Sequence, residues 1–269
     1  MQLDCGQYLG CKNREIDADG LWLSLTGYQP SSRQPLHTHS NPTFFLQLSG
    51  DHCDETANGQ RIQPSLTINF HPTTVPHRSE VGPAGMWGIN LEISDRWLRT
   101  HQLQERDLGN LRILEDAHTR CLLAQFAAQT FGSPHDRPDL DLLVLELIEP
   151  FAATRPPSER NPPKWLVQVR DRILEQFPIK VPLTELADAA FVHPVYLCRA
   201  FRKHFGQSIS EFVGELRMSE ACRLLLAGQD AGSAALECGF VDQFHFSRAL
   251  SKVVGINPRA LKRVAALTS

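Results

Sequence analysis

"FVHPVYLCRAFRKHFG", residues 191–206, is nearly restated by "FVDQFHFSRALSKVVG", residues 240–255. An ungapped shift of 49 positions pairs Phe191 with Phe240, Val192 with Val241, Arg199 with Arg248, Ala200 with Ala249, Lys203 with Lys252 and Gly206 with Gly255. Each copy opens on a helix-start signal. Asp242 is a good N-cap, and His193 holds that place in the first copy, ahead of Pro194 at the favoured first helical position. Leu197 and Phe201, like Phe246 and Leu250, are spaced i,i+4 and turn inward. That leaves Arg199, Arg202 and Lys203, or Arg248 and Lys252, on the outer face.

Before each copy stands a short apolar segment and a turn, "LTELADAAFV" and "SAALECGFV". Small residues (Ala187, Ala190, Ala235, Gly239) let two helices cross closely, and Gly239 permits a positive φ. Each unit therefore reads as a helix-turn-helix. Two helix pairs are too few for a solenoid, although outward Arg and Lys alone would signify only a solvated face. The intervening "SISEFVGELRMSEACRLLLAG" reads as one long amphipathic helix, a rigid spacer. Two readers on one spacer can address two major-groove segments on one DNA face, about 34 Å apart if one helical turn separates them. DNA binding is the reading this pattern favours.

The rest of the chain bounds that reading. Its 269 residues suffice for two domains, and at 42% apolar and 21% charged it reads as globular. No apolar run has the length of a membrane span and the N-terminus has no apolar signal core, so a cytoplasmic protein without membrane contact is expected. Seven cysteines without any C-x-x-C pair argue for reduced thiols. The net charge of −3 is unevenly spread: from Lys164 onward there are 14 basic and 10 acidic residues, leaving 13 basic and 20 acidic before it. Only the second part is suited to a polyanion.

Composition divides the chain. Residues 20–92 carry short apolar runs broken by Gly, Pro, Asn and His turns, as β-strands do. "LGNLRILEDAHTRCLLAQFAAQTF" and "PDLDLLVLELIEPFAA" have helical period and predict two amphipathic helices. "RPPSERNPPK", residues 155–164, holds four prolines and reads as a semi-stiff linker. The expected fold class is α+β multidomain: a small β-domain at 1–93, a helical connector at 94–154, the linker at 155–164 and an all-α domain at 165–269. The linker and the charge split mark the last piece as independent. Leu111, Leu114, Leu122, Leu123, Phe126, Leu143 and Leu147 give the connector more apolar surface than a barrel's flank needs, which predicts a homodimer through these helices.

"LTELA", "LCRAFRKHFGQS", "FVGELRMSEACRLLL", "ECGFVDQFHFSRALSKVVGINP" and the trailing "LKR" stand in the order and spacing of the DNA-binding domain of AraC/XylS-type transcription regulators, which the last hundred residues resemble. The resemblance implies a seven-helix domain with two readers in the major groove. It places Val195, Cys198 and Arg199 of the first reader, and Gln243, Phe244, His245 and Arg248 of the second, at base edges. Arg202, Lys203 and Lys252 are placed to neutralise phosphates. Two departures stand out: Phe244 replaces a common Ser and cannot hydrogen-bond a base, and Ala231 and Ala234 replace larger residues, which predicts loose packing at 231–238.

"PLHTHSNPTFFLQLSGD" and "FHPTTVPHRSEVGP" resemble the cupin-like sensor half of the same family, which makes the β-domain an expected β-barrel with a small-molecule effector site. His37, His39 and His77 correspond to ligands of cupin metal sites, and imidazole suits Zn, Fe, Ni or Cu. The usual glutamate is replaced by Thr43 or Phe44, so turn and pocket histidines are the preferred reading, with a three-His divalent metal site as the other. His52 and His71 read as ordinary surface or turn residues, and Trp22 and Trp87 as barrel filling. No nucleotide-binding, phosphate-cradling or nucleophile motif is present. The expectation is thus a non-enzymatic regulator that binds double-stranded DNA and an effector, forms a homodimer and meets RNA polymerase. The alternative is a metal-dependent cupin enzyme with an appended DNA-binding module.

Overall fold

The computed structural model describes residues 1–56, 59–109, 112–132, 139–152, 162–179 and 181–268. Most of the expected linker, and Leu111, lie outside them. The N-terminal part is sheet-rich: β1 Gln2–Leu3, β2 Cys11–Ala18, β3 Leu21–Tyr28, β4 Thr38–His39, β5 Thr43–Thr56, β6 Gly59–Gln63, β7 Ile68–His71, β8 Arg78–Ile93 and β9 Arg112–Leu114. One sheet runs β2-β3-β8-β5-β7-β9, with β6 also on β5, and a parallel pair β1/β4 stands apart. Among the described residues no ladder joins the end strands β2 and β9.

Alternation gives this sheet two chemically distinct faces. Leu23, Leu91, Phe44 and Phe70 are successive cross-strand partners, all buried on the apolar face. One residue along, Ser24, Asn90, Phe45 and Asn69 pair in the same order and make the opposite face largely polar. That second face, buried yet polar, is what a binding pocket needs. Trp87 packs with the apolar core over Gly27, where a Cβ would sit 2.8 Å from the indole ring. It lies on the side away from the polar pocket. Trp22 is half-buried.

The helices are α1 Asp95–Thr100, α2 Ala117–Phe131, α3 Leu140–Ala152, α4 Lys164–Gln176, α5 Leu183–Ala189, α6 Pro194–Phe205, α7 Ile209–Leu226, α8 Ala231–Glu237, α9 Gln243–Val253 and α10 Pro258–Leu267. The helix expected from residue 108 begins later. Asp116 caps it by accepting from Thr119 N–H, and residues 112–114 pair with β7 instead. The spacer is one helix, α7, closed at its start by a Ser208/Glu211 capping box.

Among the described residues two large cores hold the molecule, with a small third one of Phe45, Val81 and Met86, and the boundary between the large ones is not the proline-rich segment. One core holds Leu166, Ile173, Leu186, Leu197 and Phe201 of the first helix-turn-helix. The other runs continuously from the sheet (Phe44, Ile68, Leu91) through α2 and α3 (Leu123, Phe126, Leu147) to α7–α10 (Cys222, Leu225, Phe246, Leu261). The second helix-turn-helix is therefore packed onto the connector. Gly132, which ends α2, permits this approach, because a Cβ there would lie 2.6 Å from the Ala260 carbonyl oxygen. Arg263 donates to the Gly132 carbonyl at 2.6 Å, and Asn13 of β2 donates to the Leu267 carbonyl at 2.7 Å.

This packing bears on the expected domain bounds and the expected dimer stripe. α7 and α10, inside the expected domain at 165–269, share the apolar core of α2 in the expected connector. In the expected dimer stripe, Leu123, Phe126, Leu143 and Leu147 are buried within the chain and Leu114 and Leu122 half-buried. Ala231, Ala234 and Ala235 are buried too, so α8 lies close against its neighbours and is not loosely packed.

Candidate nucleic-acid interface and a histidine pocket

Both helix-turn-helix units form. In each, a positive φ ends the first helix and an N-cap begins the second, but the two turns differ in length. Val192 N–H donates to the Ala187 carbonyl at 3.0 Å and Phe240 N–H to the Ala235 carbonyl at 2.9 Å. The first helices thus correspond at a shift of 48. The second helices correspond at 49, where Leu197 and Phe201 are buried like Phe246 and Leu250. One extra residue sits in the second turn. The match of Phe191 with Phe240 is consequently a coincidence of letters. Phe191 has φ of 54° and is 95% exposed, in the place of Gly239 with φ of 76°, whereas Phe240 packs against the core.

The caps set where each reader starts. His193 Nδ1 accepts from Val195 N–H at 3.3 Å, and an Asp242 carboxylate oxygen accepts from His245 N–H at 2.6 Å. With the apolar i,i+4 pairs inward, Val195, Cys198, Arg199, Arg202 and Lys203 of α6 are exposed. Gln243, Phe244, His245, Arg248 and Lys252 of α9 are exposed as well. All ten sequence-assigned residues face solvent, in two groups. Among the described residues neither Arg199 nor Arg248 makes an ion pair, so neither guanidinium is tied into the fold. Arg202 is close enough to Glu211 to help hold that carboxyl below its usual range, after the hydrogen bonds from Ser208.

The polar face of the sheet carries a second cluster. His37 and His77 exchange both backbone N–H···O bonds, at 2.9 and 3.0 Å, an isolated bridge that sets their rings side by side with centroids 4.2 Å apart. His39 on β4 completes a set whose ring nitrogens lie within 4.8 Å of one another. All three are buried. Nδ1 of His37 lies 2.8 Å from the Pro35 carbonyl, and Nδ1 of His77 3.4 Å from that of Val75. Those contacts leave each Nε2 as the nitrogen available to a ligand.

Three further residues join them, and the sequence reading passed over each. His71 ends β7 with its ring stacked on His77 at 4.0 Å, and His52 on β5 faces the same pocket. Asp54 lies between them, its oxygens 3.7 Å from His52 Nε2 and 3.8 Å from His71 Nε2. At 3% and 4% exposure, His52 and His71 are not surface residues. Alternation from Asn69 was the available signal for His71. Desolvation, followed by the mutual repulsion of the rings, holds His39 down to about 3. Desolvation, then His37, holds His77 down to about 4. Desolvation also drives His71 well below its ordinary value. The imidazoles are therefore neutral, as a metal ligand must be.

A family model described as a helix-turn-helix domain matches residues 186–263. The chain is 28% identical over 95 residues to the uncharacterised HTH-type transcriptional regulator YobQ of Bacillus subtilis, covering 35% of this chain and 38% of that one. It is 24% identical over 233 residues to the HTH-type transcriptional activator RhaS of Pectobacterium carotovorum, covering 86% of this chain and 80% of that one. Among solved structures, ToxT from Vibrio cholerae is 12% identical, with a TM-score of 0.38 over 93% of this chain and 100% of that one. The chain spans 38% to 62% of the length of three of the curated relatives that it matches. The matched domain holds both readers, α6 and α9, within its bounds.

Proposed function

We propose that the chain is a sequence-specific DNA-binding transcription regulator. In this reading α6 and α9 enter the major groove of double-stranded DNA and the sheet domain binds a small effector. The observation that carries it is the pair of helices whose outer faces present Arg199 and Arg248, neither in an ion pair among the described residues. Arg reads guanine edges as a bidentate donor, and Lys203 and Lys252 are suited to phosphates. Genome-wide mapping of bound sites, followed by titration of the full chain against the recovered sequence, tests it. A recurrent motif bound far more tightly than unrelated duplex supports the reading, and equal binding to all duplexes overturns it.

Being a regulator, the protein would work in the cytoplasm and would be non-enzymatic, in line with the names of two of its relatives, although a third, AdaA, is named a bifunctional activator and DNA repair enzyme. Among the described residues no helix is long and apolar enough to cross a membrane. A second copy of the chain and RNA polymerase are the further partners that the resemblance implies. A metal-dependent enzyme is the other reading, and the three clustered histidines are what favour it.

A further inference from the structure

We propose that Phe244 makes the second reader selective for the C5-methyl group of a pyrimidine. The DNA it takes is then a duplex carrying thymine, or 5-methylcytosine, one or two base steps from the guanine that Arg248 reads. The inference deepens the DNA-binding reading above and rests on it. Phe244 and Arg248 stand i,i+4 on α9 and both are exposed. Residues at that spacing share one helix face, with Cβ atoms about 5–6 Å apart. Base pairs rise about 3.4 Å per step, so the ring covers the first or second step beside the arginine.

The neighbouring side chains at this end of α9 are engaged elsewhere. The His245 ring lies edge-on to Phe240, centroids 5.7 Å apart, and Phe240 packs on the core. The Gln243 amide oxygen leans back toward α8, 3.6 Å from where a Cβ on Gly232 would sit. Phe244 is 80% exposed and its ring meets no other ring among the described residues. Val241 holds the place from which an apolar residue can staple itself onto Phe246, yet it is 79% exposed. Two uncovered apolar side chains thus stand beside Arg248 and Lys252, the cations that draw this helix to DNA. Among major-groove edges the C5-methyl is the apolar feature, and Phe is one of the side chains that touch it. Wedging of Phe between base steps belongs to the minor groove. The first reader repeats the arrangement with a smaller group: Val195, which the 49-residue shift pairs with Phe244, is exposed four residues before Arg199.

The test uses the full chain and the operator duplex recovered by mapping. Each thymine is replaced in turn by deoxyuridine, which removes the methyl and leaves the hydrogen-bonding edge intact. One position should weaken binding by about 3–10-fold, the worth of one buried methyl group. At that position folded Phe244→Ala and Phe244→Ser, with unchanged melting temperatures, should bind dT and dU alike. The wild type should bind 5-methylcytosine·guanine there more tightly than cytosine·guanine. Arg199→Ala should bind more weakly overall and keep the dT-to-dU ratio. An operator preferred over unrelated duplex but without a methyl-sensitive position, or a ratio that survives in Phe244→Ala, overturns the proposal and leaves the DNA-binding reading standing. Equal affinity for all duplexes removes both.

Discussion

Phe191 and Gly239 occupy one and the same place in the two helix-turn-helix units. Each follows the C-cap of the first helix with a left-handed backbone, and only one of them is a glycine. A side chain with a Cβ pays about 1–2 kcal/mol for that conformation. The Phe191 ring is 95% exposed and recovers little by burial. Phe191→Gly should therefore stabilise the chain by about 0.5–1 kcal/mol, read as a higher urea midpoint with an unchanged slope. A lower midpoint would mean that the ring packs in solution.

Gly132 should tolerate no side chain. Gly132→Val would press a branched group against the Ala260 carbonyl and separate α2 from α10, at a cost of about 1–3 kcal/mol. Calorimetry should show a lower melting temperature. An unchanged one would contradict the close approach.

Residues 162–268 alone should be less stable than the full chain and should bind a hydrophobic dye, because Cys222, Leu225 and Leu261 lose α2 as cover. Equal stability and no dye binding would restore the independent domain that the prolines imply.

The metal-free chain should lose stability as pH falls. His37, His39, His52, His71 and His77 all have folded pKa values below the unfolded value of about 6.5, while Asp54 opposes the shift at His37, His52 and His77. The unfolded state then binds more protons, so stability is full above about pH 6.5 and falls toward the folded values, about 4 for His77 and about 3 for His39. Each such group contributes up to about 1.4 kcal/mol per pH unit in that window. Urea titrations of chelated protein between pH 7.5 and pH 5 check this, and a flat profile would contradict the buried neutral rings.

How far the sequence spoke depends on what each signal encodes. Leu197, Phe201, Phe246 and Leu250 announced two outward helices because helical period alone decides which side is inner. The turn register was hidden, because identical letters at Phe191 and Phe240 outweighed a one-residue difference that only backbone hydrogen bonds reveal. His71 was misread as a surface or turn residue and Asp54 went unread because they reach the pocket from strands well separated from His37 and His39, and pairing, not spacing, unites them. The stripe of Leu123 and Phe126 was legible as apolar. A stripe does not name its partner: Leu123 joins the core that α2 shares with α7 and α10, and Phe126 lies beside Leu143 and Leu147 of α3.

The central claim is that two unequal readers bind one operator. Between residues 193 and 206 the first copy carries Arg199, Arg202 and Lys203 with no acid, whereas between 242 and 255 the second carries Arg248 and Lys252 against Asp242, an acid required as a cap. Phe244 is 80% exposed and offers the second reader only apolar contact. The most direct measurement is titration of folded Arg199→Ala and Arg248→Ala full chains against one operator duplex at two salt concentrations. The account predicts a loss of about 1–3 kcal/mol for Arg199→Ala, a smaller loss for Arg248→Ala, unchanged melting temperatures, and affinity that falls steeply with salt. Equal losses, a larger loss for Arg248→Ala, or affinity indifferent to salt would contradict it.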